Sequence, residues 1–201
     1  MSKRLPTRGD HLKAAIAQEA ARLMAEHGIQ DYEKAKRKAA ERYGVYDGAL
    51  LPRNVEIEAA LASYQRLFGG REHEENLRRL REVAVKAMRL RSAFEPRLVG
   101  AVLRGTATAH SDVELHVFSE SMEAVCIALL DRNVSYDVIG SENKPSSGRK
   151  TISPVMQFHV GVQTVNANVF STAGMRQAPQ SPVDGRPVER MALPTLVDLI
   201  S

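Results

Sequence analysis

The sequence predicts a mixed α/β protein in which an α-helical N-terminal region, residues 1–95, precedes an α/β core, residues 96–201. Up to residue 95, apolar residues recur at helical intervals between capping residues, whereas beyond Arg97 short β-rich runs alternate with one helical run. The charge changes at the same place. Residues 1–95 hold 19 Lys and Arg against 14 Asp and Glu, and residues 96–201 hold 9 against 10. The N-terminal region is therefore basic and the core slightly acidic.

The N-terminal region is expected to form four helices. The segment DHLKAAIAQEAARLMAEHG has apolar residues at helical spacing, and the segment DYEKAKRKAAERYG repeats that arrangement. Side-chain oxygens of Asp and Asn cap helix starts, and glycine ends helices because it adopts positive φ. The expected caps and stops are Asp10 and Gly28, then Asp31 and Gly44, then Asn54 for a third helix. A longer amphipathic helix is expected from about residue 72 to residue 94.

The core is expected to contain five strands and one helix. The apolar run RLVGAVLRG (97–105) predicts a strand, DVELHVF (112–118) an alternating strand, and VSYDVIG (134–140) a further one. A helix capped by Ser121 lies between the second and third of these. The segment SPVMQFHVGVQTVNANVF predicts two strands joined by a turn near Gly161. In the last strand, alternation places Asn166 and Asn168 on the face opposite the three apolar residues.

Two carboxylates stand one residue apart in the alternating strand. Because successive side chains point to opposite faces, Asp112, Glu114 and His116 share one face of the strand. Hard cations prefer such oxygen ligands. The pattern therefore predicts a cation site, although an Asp-x-Glu on a strand is also common on an ordinary solvent-facing surface, and His116 is also explained by a hydrogen bond to Glu114. If the neighbouring strand aligns its apolar face with this one, its asparagines border the carboxylates.

The densest basic cluster of the chain lies in the second predicted helix, at Lys34, Lys36, Arg37 and Lys38. Such a cluster favours weak, salt-sensitive contact with RNA phosphates. A solvated helix face is the alternative, because residues 36 and 37 turn away from residues 34 and 38. A third interpretation makes the N-terminal region a packing or dimerisation element.

Several classes of function are excluded or disfavoured by what the sequence lacks. The single cysteine, Cys126, excludes a disulfide framework and a cysteine-based zinc site within one chain. The sequence has no GxxxxGK[ST] phosphate loop, no HExxH pair and no GxSxG elbow. No window approaches the apolar length of a membrane span, and the start MSKRLPTRGDHLK has no apolar signal region, so we expect a cytoplasmic protein without a membrane partner.

The segment GTATAHSDVELHVF, residues 105–118, resembles the signature of the minimal nucleotidyltransferases of the DNA polymerase β-like superfamily. The resemblance implies a mixed sheet with flanking helices that binds a nucleoside triphosphate (NTP), with small hinge residues near the phosphates and a carboxylate pair holding Mg²⁺. It implies transfer of a nucleoside monophosphate to an acceptor such as RNA or protein. The residues that carry over are Asp112 and Glu114 as metal ligands, and Arg104, Gly105, Thr106 and Ser111 as nucleotide contacts.

Two positions depart from that signature. The Gly-Ser pair that opens it falls on Gly100 and Ala101, and the third carboxylate of a later strand falls on Asn166 or Asn168. An amide coordinates metal weakly and accepts no proton. Because Asn166 stands at the position of the third carboxylate, we assign it to the catalytic set with Asp112 and Glu114. Because an amide cannot replace that carboxylate fully, we keep an alternative, a catalytically degenerate fold that binds nucleotide, RNA or a protein partner. Arg149 and Lys150, in the polar loop before the hairpin, are further basic residues within expected reach of a triphosphate.

Overall fold

The computed structural model describes residues 7–90, 92–143 and 151–201, with side chains except at 141–143 and 151–153. It is a mixed α/β fold, as the sequence predicts, but its sheet has six strands where five are expected, and the sixth strand and the helix after it, at residues 191–200, are not predicted. The chain divides into two compact units. The first comprises Met1–Glu74, Thr108–His110 and Pro182–Asp184, and the second comprises Glu75–Ala107, Ser111–Ser181 and Gly185–Ser201. The domain boundary at residue 95 stays a prediction.

Three helices build the first unit: α1 (Arg8–His27), α2 (Tyr32–Arg42) and α3 (Asn54–Tyr64). Their apolar sides form one core around Ile16, Leu23, Ile57 and Leu61, each at most 2% exposed. The core is rich in alanine, which allows helices to approach closely.

The helix ends of the first unit match the predictions only in part. Gly28 ends α1 at φ 67° and Asp31 caps α2, as expected. The predicted Asp10 cap is wrong, because Thr7 caps α1 and the Asp10 carboxylate accepts a hydrogen bond from the Thr7 backbone N–H in a capping box. The predicted Asn54 cap is also wrong, because Arg53 stands at the cap and its N–H donates to Glu56.

The fourth helix, α4 (Gly70–Leu90), follows a π-helical turn at Gln65–Gly69 and precedes a short 3₁₀ turn at Ser92–Phe94. The amphipathic pattern that predicts it is confirmed by the full burial of Leu80, Ala84 and Ala87. Most of the helix belongs to the second unit. Its apolar side joins the core of the sheet.

The second unit is built on one sheet in the order β3-β4-β5-β2-β1-β6. The strands are β1 (Arg97–Val99), β2 (Val113–Phe118), β3 (Tyr136–Asn143), β4 (Thr151–Val160), β5 (Gln163–Phe170) and β6 (Met191–Ala192). β2 and β5 are parallel, and the other pairs are antiparallel. Two further helices, α6 (Met122–Leu130) and α7 (Leu193–Ile200), add Val125, Leu129 and Leu196 to its core. Ser121 caps α6, as predicted.

The predicted strand over residues 97–105 is wrong beyond Val99. There the chain forms a short helix, α5 (Gly100–Arg104), which starts at φ 73° on Gly100 and ends at φ 81° on Gly105. Positive φ interrupts an extended strand, and glycine adopts it without steric cost. An apolar run alone does not distinguish a buried strand from a buried helix. In the described part of the chain, each helix is too short or too polar to cross a bilayer.

Candidate functional site

The pairing of β2 with β5 brings the predicted carboxylates and asparagines together. Asp112 directly precedes β2, and Glu114 lies opposite Asn166 in the parallel register. Val113, Leu115 and Val117 are fully buried on the other side of β2, so the alternation predicted from the sequence is confirmed. We call the side that carries Asp112, Glu114 and Asn166 the carboxylate face.

A chain of amide hydrogen bonds runs along the carboxylate face. Gln157 on β4 donates from Nε2 to Asn166 Oδ1 over 3.0 Å, and Asn166 donates from Nδ2 to Asp112 Oδ2 over 3.1 Å. Both ends of the Asn166 amide are therefore engaged. This arrangement orients the Asp112 carboxylate through its Oδ2 atom.

Glu114 lies against the backbone of Gly100. A Cβ atom at Gly100 would be 2.5 Å from Glu114 Oε1 and 2.7 Å from its Cδ, closer than non-bonded atoms approach. Only glycine therefore leaves room for this carboxyl group in its observed position. The sequence comparison with the nucleotidyltransferase signature identifies Gly100, but the reason for glycine appears only in the structure.

Both carboxyl groups have raised pKa values. Burial raises the pKa of Asp112, against the opposing effects of the Asn166 hydrogen bond and of His159. The Glu114 side chain is exposed, but its carboxyl group lies against the Gly100 backbone, and partial loss of solvation raises its pKa. Arg104 lowers the pKa of Glu114, and Asp112 raises it as a like charge. Two carboxyl groups with raised pKa values on one face are the arrangement that a cation stabilises.

The four residues that the resemblance assigns to nucleotide contacts, which we call the hinge residues, differ in their exposure to solvent: Arg104, Gly105, Thr106 and Ser111. Arg104 is exposed at the end of α5, and its charge acts on Glu114. Gly105 caps α5 in the left-handed region. Thr106 is only 5% exposed, so its side chain lies inside the fold. Ser111 accepts a hydrogen bond at its carbonyl oxygen from Gln163 Nε2 over 3.0 Å, next to Asp112. Arg149 and Lys150 lie outside the described residues.

His116 has another partner than the expected Glu114. It accepts a hydrogen bond at Nδ1 from Arg190 Nε over 3.0 Å and packs against the Phe170 ring. Burial, with Arg190 nearby, lowers the pKa of His116 to about 3, so the ring is neutral. Arg190 also donates to the carbonyl oxygens of Gly174 and Met175. It lies 74 residues from His116, and no sequence pattern predicts this contact.

The residues present fit a magnesium ion only with ligands from elsewhere. Within the described residues, no three His, Cys, Asp or Glu side chains come together as a metal-binding group. Asp112 and Glu114 are thus two protein carboxylates for a cation that prefers six oxygen ligands. Water and phosphate oxygens commonly complete such a shell. The donor set therefore fits magnesium brought in with a phosphate ligand.

The basic cluster of α2 is partly neutralised inside its own helix. Lys36 is only 8% exposed, and its Nζ lies 3.3 Å from Glu33 Oε2. Arg37 pairs with the same glutamate through Nε over 3.2 Å. Lys34 and Lys38 are exposed. The cluster therefore presents fewer free charges than its four residues suggest.

No family model matches this chain, and no curated protein or solved structure matches it. The relation of residues 105–118 to polymerase β-like nucleotidyltransferases therefore stays a prediction, and the function has to be inferred from the site.

Proposed function

We propose that the carboxylate face binds a magnesium-complexed NTP and that the protein transfers its nucleoside monophosphate to an acceptor hydroxyl. The single observation that carries this proposal is the meeting of Asp112, Glu114 and Asn166 on one side of the sheet. Desolvation disfavours the charged form of both carboxyl groups, as their raised pKa values indicate, and a bound cation would favour that form.

Asp112 and Glu114 would hold the magnesium ion, which when bound neutralises the charge of the triphosphate. The remaining tasks belong to this chain. Asn166 holds the Asp112 carboxylate in place, Gly100 leaves room for Glu114, and Arg104 adds positive charge at the end of α5. These groups orient the ligand before the reaction, which is how positioning accelerates phosphoryl transfer.

The proposed transfer is a substitution at phosphorus and involves no oxidation or reduction. The acceptor oxygen forms a bond to the α-phosphorus, the bond from that phosphorus to the bridging oxygen breaks, and pyrophosphate leaves with the electron pair. The proton of the acceptor hydroxyl passes to water, because the Asn166 amide accepts none.

The amide at position 166 favours a second candidate function, nucleotide binding without transfer. Both the oxygen and the nitrogen of the Asn166 side-chain amide are engaged in hydrogen bonds. Where the signature implies a third carboxylate, this chain therefore has an uncharged amide, which adds no negative charge to the site. In this candidate the same face binds the nucleotide and presents it, or a bound RNA or protein, to a partner.

Label transfer separates the two candidates. The purified protein is incubated with each α-labelled NTP, magnesium, and total cellular RNA and protein. The transferase proposal predicts label on RNA or protein with the wild type and none with Asp112→Ala. Nucleotide binding without any transferred label would support the binding candidate. Equal labelling by Asp112→Ala and the wild type would contradict a site at the carboxylate face.

A further inference from the structure

Arg81, on α4, is a partly buried cation. Its Nε has no contact with solvent and no hydrogen-bond partner within the described part of the chain. Burial alone lowers the pKa of Arg81, with no acidic group opposing that shift. A guanidinium group carries five donors, and enclosing it without an acceptor costs free energy. Such a group is therefore suited to an anion that comes from outside the protein.

The Arg81 guanidinium faces the turn at Gly105. A Cβ atom at Gly105 would lie 3.9 Å from Arg81 Nη2 and 3.8 Å from Leu77 Cδ2, so the backbone of the turn is next to the cation. Leu77 supplies an apolar wall, which strengthens the attraction of the guanidinium for a negative group. The contact joins α4 to the small-residue turn that follows α5.

Helix α5 links this cation to the carboxylate face. Gly100, at its first residue, lies against the Glu114 carboxylate, and Gly105, after its last residue, lies against Arg81. Five residues of helix rise about 7.5 Å. A triphosphate chain is of comparable length, so one end of it at the carboxylates brings the other end near Arg81.

The neighbouring Arg79 shows by contrast how an arginine of α4 is engaged when it has protein partners. Arg79 donates to Gln163 Oε1 over 3.1 Å and to Asn76 Oδ1 over 3.0 Å. Gln163 in turn donates to the carbonyl oxygen of Ser111. Arg79 is thus connected to the backbone of Ser111 through Gln163, whereas Nε of Arg81 has no hydrogen-bond partner among the described residues.

We propose that Arg81, beside the turn at Gly105, binds a phosphate group, the terminal phosphate of the NTP held at the carboxylate face. The anion site follows from Arg81 itself, and only the identity of its ligand rests on the proposed function. Arg81 acts here as a binding residue that fixes which end of the triphosphate points away from the carboxylates.

Calorimetric titration with inorganic tripolyphosphate, without magnesium, tests the anion site. Arg81→Met keeps much of the apolar stem and removes the charge, and it should weaken binding roughly 10-fold or more, as loss of a charge-assisted hydrogen bond does. Arg81→Lys should retain part of the affinity. Arg78→Met, an exposed arginine of the same helix, is the control and should bind within about twofold of the wild type.

Thermal unfolding adds a readout that a structural role would not produce. Without ligand, Arg81→Met should be at least as stable as the wild type, because it removes an uncompensated charge. With tripolyphosphate, the wild type should gain stability and Arg81→Met should not. If Arg81→Met fails to fold, Arg81→Gln takes its place in both measurements.

The inference is overturned if Arg81→Met binds tripolyphosphate as tightly as the wild type, if Arg78→Met loses as much affinity, or if the wild type does not bind it at all. The proposed function is tested separately by magnesium-dependent ATP binding in Asp112→Asn. Lost magnesium-dependent ATP binding in Asp112→Asn together with unchanged tripolyphosphate binding in Arg81→Met would leave the proposed function standing and overturn the inference about Arg81. Lost tripolyphosphate binding in Arg81→Met together with unchanged magnesium-dependent ATP binding in Asp112→Asn would support the anion site and overturn the proposed function.

Discussion

At the scale of single residues, the candidate site is defined by charged groups whose pKa values shift toward the uncharged form. Glu114 and Asp112 are carboxyl groups with raised pKa values, and Arg81 is a partly buried cation with a lowered one. Perturbed groups of this kind cluster at functional sites. Each of them lowers the stability of the unliganded protein, so substitutions that remove them have a predictable sign.

Glu114→Gln should stabilise the unliganded protein at neutral pH. The folded-state pKa of Glu114 lies above its unfolded value of about 4.3, so wild-type stability is lost as pH rises through the folded pKa. Because a glutamine side chain does not ionise, the variant does not lose stability in this way as pH rises. The gain should be about 1 kcal/mol at most, because solvent reaches this side chain and screens its charge. Urea unfolding at pH 4 and pH 7 measures the free energy of unfolding of both proteins. If the difference between the two free energies is the same at both pH values, the prediction is contradicted.

Gly100→Ala should impair ligand binding more than folding. The atoms that a Cβ would meet are the tip of the flexible Glu114 side chain, which moves aside and leaves the carboxylate face. The left-handed conformation at φ 73° costs alanine about 1–2 kcal/mol.

The matched control is Gly161→Ala, at φ 63° in the β4–β5 turn, where nothing lies within 4 Å of a Cβ. Both variants should lose similar free energy of unfolding, but only Gly100→Ala should lose magnesium-dependent nucleotide binding. Equal nucleotide binding by the two variants would show that the position of Glu114 is unimportant.

At the scale of elements, the β2–β5 pair accounts for what the sequence predicts well. Alternation in DVELHVF and VNANVF assigns both faces of each strand correctly, because the polar residues and the buried ones have a period of two. The parallel pairing then sets Asn166 beside Glu114. The short helix α5 is missed, because its apolar residues suit a strand equally and only the φ angles of Gly100 and Gly105 decide.

Asn166→Asp tests the role of the strand pair. It replaces a donor to Asp112 by a third carboxylate, so without magnesium the protein should lose about 1 kcal/mol of stability. With magnesium, the variant should gain more stability than the wild type, and label transfer should rise or begin. In an Asp112→Asn background the extra response should disappear, as a double-mutant cycle requires. If instead the wild type transfers label and Asn166→Asp does not, the asparagine itself is required for the reaction.

Helix α2 carries the prediction for RNA. Because Lys36 and Arg37 pair with Glu33, the charges available to phosphates are those of Lys34 and Lys38. Reversing both to Glu should weaken RNA retention and flatten its dependence on salt, with little change in stability.

Lys86→Glu with Arg89→Glu, two exposed positions of α4, changes the net charge equally and should leave RNA retention nearly unchanged. Filter retention at low and high salt measures both variants. Absence of RNA retention by the wild type at low salt would remove RNA from the proposed acceptors and leave α2 as a packing or partner surface.

At the scale of the whole molecule, the mixed α/β class follows from local patterns, whereas the contacts that shape the site follow from tertiary structure. Capping residues and hydrophobic periodicity predict helices α1 to α4 and α6 to within a few residues, although Thr7 and Arg53 take the cap positions assigned to Asp10 and Asn54. Helices α5 and α7 are not predicted. Arg81 reaches Gly105, and Arg190 reaches His116, over distances in sequence that no local pattern spans. The signature over residues 105–118 identifies the carboxylates but not the cation that faces the hinge.

The central claim is that the carboxylate face binds a magnesium-complexed nucleotide, and calorimetric titration with MgATP and MgGTP tests it most directly. The wild type should bind at least one of them at least 10-fold more tightly with magnesium than without it, and in the presence of magnesium Asp112→Asn should bind at least 10-fold more weakly than the wild type with its unfolding transition intact. Asp198→Asn, an exposed carboxylate on α7 with the same change of charge, should bind like the wild type. Equal affinity of Asp112→Asn and the wild type for both nucleotides would contradict the claim.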